Sequence, residues 1–326
     1  MLITRTPLRV SIGGGGTDLP SYYRRFGGYV ISAAISQYIY IGINRSFSDG
    51  YLLKYSELER AKTIDEIQHQ ILRESLRLLD VRPPVEIVSL ADVPAGTGLG
   101  SSGSFTVGLV RAIHAFHREY VSTHTVAEEA CHIEMDVLCQ PVGKQDQYIA
   151  AFGGLTGFEF RPDGSVRVES LRIQQEAVFE LEDRLLMFFT GVSREAASIL
   201  QDQDKRSAEC DERMLENLHS VKALGLQIKA ELEKGNLCEY GRLLNEHWHI
   251  KQKRSSGMSN SRINELYELG IKSGALGGKL VGAGGGGFLM FYAEDKNRLR
   301  RAMREAGLRE MRFQFDFEGT KLMAHS

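Results

Sequence analysis

Pro94-Ala95-Gly96-Thr97-Gly98-Leu99-Gly100-Ser101-Ser102-Gly103-Ser104 sets glycine at every second position, then two hydroxyls, directly ahead of the apolar run Phe105-Thr106-Val107-Gly108-Leu109-Val110-Arg111-Ala112-Ile113. The spacing predicts a turn opening into a helix, and Val85-Glu86-Ile87-Val88-Ser89-Leu90 just upstream predicts a strand. Strand, glycine turn and helix together make a phosphate cradle. A backbone without Cβ atoms wraps an anion closely, the free N–H groups of the first helical turn point at it, and the helix dipole favours its charge.

Two better-known nucleotide motifs are excluded. A Walker loop needs Lys followed by Ser or Thr after its glycines, but Lys144 precedes Gln145 and Lys279 precedes Leu280. Gly282-Ala283-Gly284-Gly285-Gly286-Gly287 matches Gly-x-Gly-x-x-Gly, yet Phe288-Leu289-Met290-Phe291-Tyr292 after it reads as a strand, where a dinucleotide fold requires a helix.

Outward from the cradle, residues 2–12 read as a strand running into Gly13-Gly14-Gly15-Gly16, with β-rich sequence to about residue 55 and a helix over 64–79. Thr125-Val126-Ala127-Glu128 is a capping-box pattern that starts a helix ending near Leu138. Strands follow at Leu155–Phe160 and Leu185–Phe189, and residues 195–272 are helical in character, with Met214, Leu218, Val221, Ile228 and Leu232 on one stripe. Two strands flank the Gly282–Gly287 run, a helix spans 295–306, and a last strand passes through Phe313 and Phe315. The change in pattern divides the chain into domains at 1–180 and 181–326.

With 326 residues the chain is long enough for two ordinary domains, and a net charge of −2 provides no basic field for a polyanion. Nucleic acid is therefore not an expected partner. No basic leader opens the sequence and no uncharged apolar run reaches membrane-spanning length, so a cytoplasmic protein without membrane contact is expected. Cys131, Cys139, Cys210 and Cys238 lack metal or redox spacing, and the pairs His114/His117 and His247/His249 lack completing ligands.

Pro7-Leu8-Arg9-Val10-Ser11-Ile12-Gly13-Gly14-Gly15-Gly16-Thr17-Asp18, the cradle, and Lys279-Leu280-Val281-Gly282-Ala283-Gly284-Gly285-Gly286-Gly287 stand in the order of the three motifs of the GHMP kinases, which the chain resembles over nearly its whole length. The resemblance implies an α+β fold: an N-terminal domain like ribosomal protein S5 domain 2, a C-terminal ferredoxin-like domain enlarged by helices, and an active site in the cleft between them. Gly-Leu-Gly-Ser-Ser-Gly-Ser and Pro141-Val142-Gly143-Lys144-Gln145-Asp146-Gln147 are similar to stretches of the D-glycero-D-manno-heptose 7-phosphate kinases, which phosphorylate an anomeric hydroxyl. Gly103 stands where most of the wider family has alanine, and either residue is expected to leave the helix start uncrowded. A kinase for L-fucose or galactose, or a non-catalytic nucleotide-binding regulator, stays open as an alternative.

The resemblance implies ATP and Mg2+ as cofactors and assigns roles. Pro94, Gly96, Thr97, Gly98, Leu99, Gly100, Ser101 and Ser102 fall on the ATP-binding motif. Ser102 and Glu134 fall on the magnesium positions, a hard oxygen pair suited to that ion. Asp146 falls on the catalytic base, with Arg9 and Lys144 expected beside it to favour its ionised form. Gly15, Gly16, Thr17 and Asp18 fall on the sugar site, where a carboxylate accepts from several hydroxyls. Read without the resemblance, Asp146 is a helix-capping aspartate, Asp18 a turn residue and Glu134 a solvated helix carboxylate.

A phosphorylated sugar needs a second anion site. Thr190-Gly191-Val192-Ser193-Arg194 lies at a strand end before a helix, and Arg194 is the expected anchor for the sugar phosphate. Lys251-Gln252-Lys253-Arg254 is the other basic cluster, expected as a solvated helix face. The oligomeric state stays open, a homodimer included.

Overall fold

The structure is a computed structural model and describes residues 1–192, 197–255 and 257–325. Two long strands, β1 (Leu2–Gly14) and β2 (Gly28–Arg45), pair antiparallel and form the spine of an eight-stranded sheet. The alternating branched and aromatic residues of β2 suit this role. Its length serves two neighbours on the far edge. Gly28–Ala33 pairs with β6 (Leu155–Phe160), which carries β7 (Val166–Ser170), and Ile39–Arg45 pairs with β5 (Val85–Ala91), which carries β3 (Tyr51–Lys54) and then β4 (Leu58–Ala61). On its outer edge β1 receives β12 (Lys321–His325).

The second sheet takes β8 (Leu185–Phe189), β9 (Ala275–Leu280), β10 (Phe288–Ala293) and β11 (Arg309–Met311) in the order β11-β8-β10-β9, all antiparallel. That order, with helices between β8 and β9 and again between β10 and β11, is the ferredoxin-like arrangement. Its first crossover is enlarged to α7 (Ala197–Ala208), α8 (Glu212–Glu233), α9 (Leu237–Gln252) and α10 (Ser261–Lys272), and α11 (Lys296–Glu305) forms the second. Met214, Leu218, Val221, Ile228 and Leu232 are all buried on α8, as their spacing predicts.

The remaining helices are α1 (Pro20–Phe26), α2 (Gln70–Leu78), α3 (Ser101–His117), α4 (Thr123–Cys131), α5 (Gln145–Phe152) and α6 (Gln175–Arg184). α1 interrupts the stretch read as β-rich, started by Pro20 in its first turn and too short for a periodic signal. The helix read over 64–79 is a 3-10 turn at Ile64–Glu66 followed by α2. The cap of α4 is Ser122, whose hydroxyl accepts from the Thr125 amide at 3.0 Å, so the helix begins ahead of the Thr125 capping-box pattern. It then widens into a π-helical turn over His132–Val137.

The strand expected through Phe313 and Phe315 does not form. Phe315 makes a single bridge to Ile35, while both rings are buried in the passage of the chain from the second sheet back to β12. Val281, Phe288 and Tyr292 belong to the same buried cluster as Leu8, Val10 and Ile12 of β1, so one core runs under both sheets.

Candidate active site

The end of β1 threads the centre of a cleft of about 960 Å³, and Arg9 on that strand organises it. Its Nε and one terminal nitrogen donate to the two carboxylate oxygens of Asp146 at 2.7 and 2.9 Å, and the other terminal nitrogen donates to the Gly98 carbonyl at 2.5 Å. Forked pairing of this kind fixes the carboxylate plane as well as its charge. Asp146 lies in the first turn of α5, its side chain 30% exposed toward the cleft while that of Arg9 is 7% exposed.

On one flank stands the cradle. Gly96, Gly98 and Gly100 all take positive φ, and Gly100 is the left-handed residue from which α3 starts. Pro94, Gly96, Gly98, Gly100, Ser101 and Ser102 line the cleft. Thr97 and Leu99 do not: the Thr97 hydroxyl is turned onto the Pro94 carbonyl at 3.1 Å, and Leu99 is a core residue whose carbonyl holds the Arg9 amide at 3.0 Å. The third glycine run packs directly on this turn, since a Cβ at Gly282 would lie 2.6 Å from the Gly98 Cα. It forms a wall, as its position between two strands predicts.

Beneath the cradle Ser102 donates to Glu134, and Gln147 donates to the other oxygen of that carboxylate at 2.5 Å. Glu134 is fully buried on the π-helical turn. Burial pushes its pKa up to about 7, more than the bonds from Ser102 and Gln147 pull it down, and the Asp146 charge adds to the rise. Among the described residues no basic side chain pairs with Glu134. A buried carboxylate, a hydroxyl, and oxygens from phosphate and water suit Mg2+, and among the described residues there is no cluster of three or more acidic, His or Cys side chains that would suit a transition metal.

The other flank is the first glycine run. Asp18 accepts from the Gly16 amide at 3.1 Å and the Gln145 amide at 3.2 Å, tying the run to the start of α5, and still lines the cleft with Gly15 and Gly16. Burial, and secondarily Asp146, raise its pKa. Thr17 is turned away, fully buried with its hydroxyl exchanging bonds with the Tyr29 backbone.

Lys144 does not approach Asp146. Neighbouring residues at a helix start point in different directions, and the Lys144 ammonium runs to Glu128 at 2.9 and 3.0 Å and to the Gly164 carbonyl at 2.9 Å, on the wall of a separate depression. Arg194 lies outside the described residues. The basic stretch at the end of α9 is only partly solvated: Lys253 is exposed, but Lys251 is buried where α9 packs against β9, and Arg254, just past the helix, is buried among Gln203, Asn217 and Gly15. Lys251 donates to the Leu280 and Gly282 carbonyls, and His247, read as one half of a histidine pair, bonds the Gly14 carbonyl.

Sequence reasoning did not foresee the apolar arm of the cleft, formed by Ile39, Tyr55, His69, Leu90, Val93 and Phe105. His69 lies 5.1 Å from Phe105 and 4.8 Å from Tyr55 between ring centroids, and burial lowers its pKa. These residues come from five separated segments and carry no shared pattern. Lys279, read as part of the third motif and excluded as a Walker lysine, also lines the cleft.

A glycine turn opening α3, a carboxylate locked by arginine and a second polar flank share one cleft. Residues 32–154 match the GHMP kinases N terminal domain and residues 228–308 the GHMP kinases C terminal domain; the chain belongs to this family and is an ATP-dependent phosphotransferase. It is 32% identical to the D-glycero-alpha-D-manno-heptose 7-phosphate kinase of Campylobacter jejuni over 98% of this chain and 97% of that one. A crystal structure described as a D-glycero-D-manno-heptose 1-phosphate kinase from Bacteroides thetaiotaomicron superposes with a TM-score of 0.82 at 26% identity over all of both chains. A second, a putative sugar kinase from Campylobacter jejuni, gives 0.76 at 30% identity, covering 99% and 98% of the two chains.

Proposed function

We propose that the protein transfers the γ-phosphoryl group of ATP to the anomeric hydroxyl of D-glycero-D-manno-heptose 7-phosphate, giving the 1,7-bisphosphate and ADP on the way to a nucleotide-activated heptose for surface polysaccharide. The observation that carries this reading is the Arg9–Asp146 pair, seated where the glycine turn and the Asp18 flank meet. The heptose follows from the Campylobacter relative. The domains are taken as 1–180 and 181–326, with β12 crossing back, and the cytoplasm is taken as the compartment because it supplies ATP.

The main-chain amides at Gly96 to Ser102 hold the phosphate tail, and the apolar arm receives the base, with the neutral His69 ring among its walls. Asp146 accepts the hydrogen of the anomeric hydroxyl and aims its oxygen at phosphorus. As the new O–P bond forms and the bond to the β-phosphate oxygen breaks, the proton passes to the Asp146 carboxylate and ADP leaves. Arg9 holds that carboxylate in one plane, and Asp18 with Gly15 and Gly16 orients the sugar. Ser102 and Glu134 are the residues that would hold Mg2+, which when bound offsets phosphate charge. Arg194 is kept as a proposed contact to the sugar phosphate.

The test is ADP release with a panel of D-glycero-D-manno-heptose, its 7-phosphate, L-fucose and galactose. The 7-phosphate should give the highest kcat/KM, with the product phosphorylated at C1 by NMR. A preference for fucose or galactose replaces the heptose reading.

A further inference from the structure

Buried charge in this cleft is unevenly compensated. Arg9 has Asp146, but Lys251, Arg254 and Lys279, all buried, have no carboxylate within ion-pair distance among the described residues. Lys251 is satisfied by two carbonyls of the third glycine run. Arg254 spends its nitrogens on neutral acceptors: Asn217 at 3.0 Å, Gln203 at 3.2 Å and the Gly15 carbonyl at 3.2 Å. Lys279 is 1% exposed, lines the cleft, and its ammonium has no hydrogen bond or ion pair with any described residue. Facing the same cleft, the Ser11 hydroxyl of β1 is buried without a partner.

A buried ammonium with no acceptor is costly unless a ligand supplies the missing charge. An anionic ligand would supply that charge and hold Lys279 in its protonated form. The position of the cluster favours the acceptor over the nucleotide. Arg254 is bonded to Gly15 and, through Gln203, to Gly16, and Ser11 lies two residues beyond Arg9 toward that run, whereas the nucleotide cradle rises on the opposite flank of Arg9.

We propose that Lys279, supported by Arg254 and the Ser11 hydroxyl, is the subsite for the terminal phosphate monoester of the acceptor sugar. The proposal rests on the sugar kinase reading and deepens it by naming which end of the substrate the C-terminal half of the chain reads. Lys279 donates to the phosphate oxygens, Ser11 adds a hydroxyl donor, and Arg254 keeps the glycine run in place while contributing charge. A sugar lacking the phosphate leaves the buried ammonium unanswered, so the subsite selects for phosphorylated acceptors.

The test compares full-length wild type, K279M and K279R with ATP and either D-glycero-D-manno-heptose 7-phosphate or the unphosphorylated heptose. For K279M the KM of the 7-phosphate should rise about 10- to 100-fold, at least tenfold more than the KM of ATP or of the bare heptose, with K279R recovering part of the loss. A fall in kcat shared by both sugars, a loss centred on ATP, or unchanged kinetics overturns it. A second measurement needs no turnover: heptose 7-phosphate or mannose 6-phosphate, without ATP, should raise the melting temperature of wild type and not of K279M, and equal shifts would refute the subsite. If wild type turns over neither heptose, the heptose reading fails, and the mannose 6-phosphate shift still decides the subsite.

Discussion

Arg9 and Asp146 are joined by two near-parallel hydrogen bonds while the third arm of the guanidinium holds Gly98, so one side chain sets the position of the carboxylate and of the glycine turn together. Replacing Asp146 with Asn keeps the shape, removes the proton acceptor and leaves Arg9 without its counter-charge. We expect D146N to lower kcat by roughly 10²–10⁴-fold with KM for ATP little changed, measured by ADP release. A correctly folded D146N with near wild-type kcat would take the base role away from this residue.

Gly103 stands where a Cβ would lie 2.8 Å from the Asp146 Cβ and 3.1 Å from the backbone of Asp146 and Gln147. The expectation that alanine fits equally well at this position therefore fails here: α3 and α5 are in backbone contact, and only a retreat of α5 would admit a methyl. G103A should cost about 1–3 kcal/mol and lower kcat more than KM, because the displaced group is Asp146. Thermal unfolding and steady-state kinetics on one preparation check both parts; an unaltered kcat would show that α5 yields without moving the carboxylate.

Glu134 is buried, accepts from Ser102 and Gln147, and pairs with no basic side chain among the described residues. E134Q keeps the size of the side chain and one acceptor oxygen and removes the charge. The magnesium concentration giving half-maximal rate should rise by about 10- to 100-fold or more, with sugar KM nearly constant. A magnesium titration that superposes on wild type would exclude Glu134 from the metal shell.

Lys279 has its pKa lowered to about 7 by burial first and by Arg254 and Arg9 second, against 10.5 in an unfolded chain. Below pH 7 both states hold the proton and the folded chain bears the cost of the buried charge; between about 7 and 10.5 only the unfolded chain keeps it, so stability rises with pH across that window. Lys251 and His247, also held below their usual pKa values and each lowered in part by the Lys279 charge, are relieved by the same substitution, so the difference between variant and wild type reads Lys279 together with these neighbours. Without ligand, K279M should be more stable at pH 6 by an amount on the order of a few kcal/mol, and the gain should shrink toward zero near pH 10.5. A difference in melting temperature that stays constant with pH would contradict this.

What could be read before folding was whatever is written locally. The alternate glycines of 96–100 announce their turn because glycine takes positive φ without the steric cost other residues meet there, and the stripe on α8 announces its buried face. Resemblance supplied Asp146 and Arg9, whose pairing spans 137 positions and has no periodic trace. Lys144 misled because nearness in sequence is not nearness in space: one residue along a helix start turned it to Glu128. Arg254 and Lys251 looked like a wet basic face; the docking of α9 on β9 buries Lys251, and Gln203, Asn217 and Gly15, distant in sequence, bury Arg254. The apolar arm had no signal at all, since strands and helices from both sides of the cradle contribute single residues to it.

The pairing of β12 with β1 sets residues 321–325 against residues 2–5, across more than three hundred positions of the chain. During translation the outer edge of the first sheet stays bare until residues 321–325 have been made, long after the phosphate turn has been synthesised. An unpaired strand edge invites other chains. A fragment cut before residue 321 would leave the Leu2–Arg5 edge of the long strand β1 unpaired, where the full fold offers only the short strand β12 as its border.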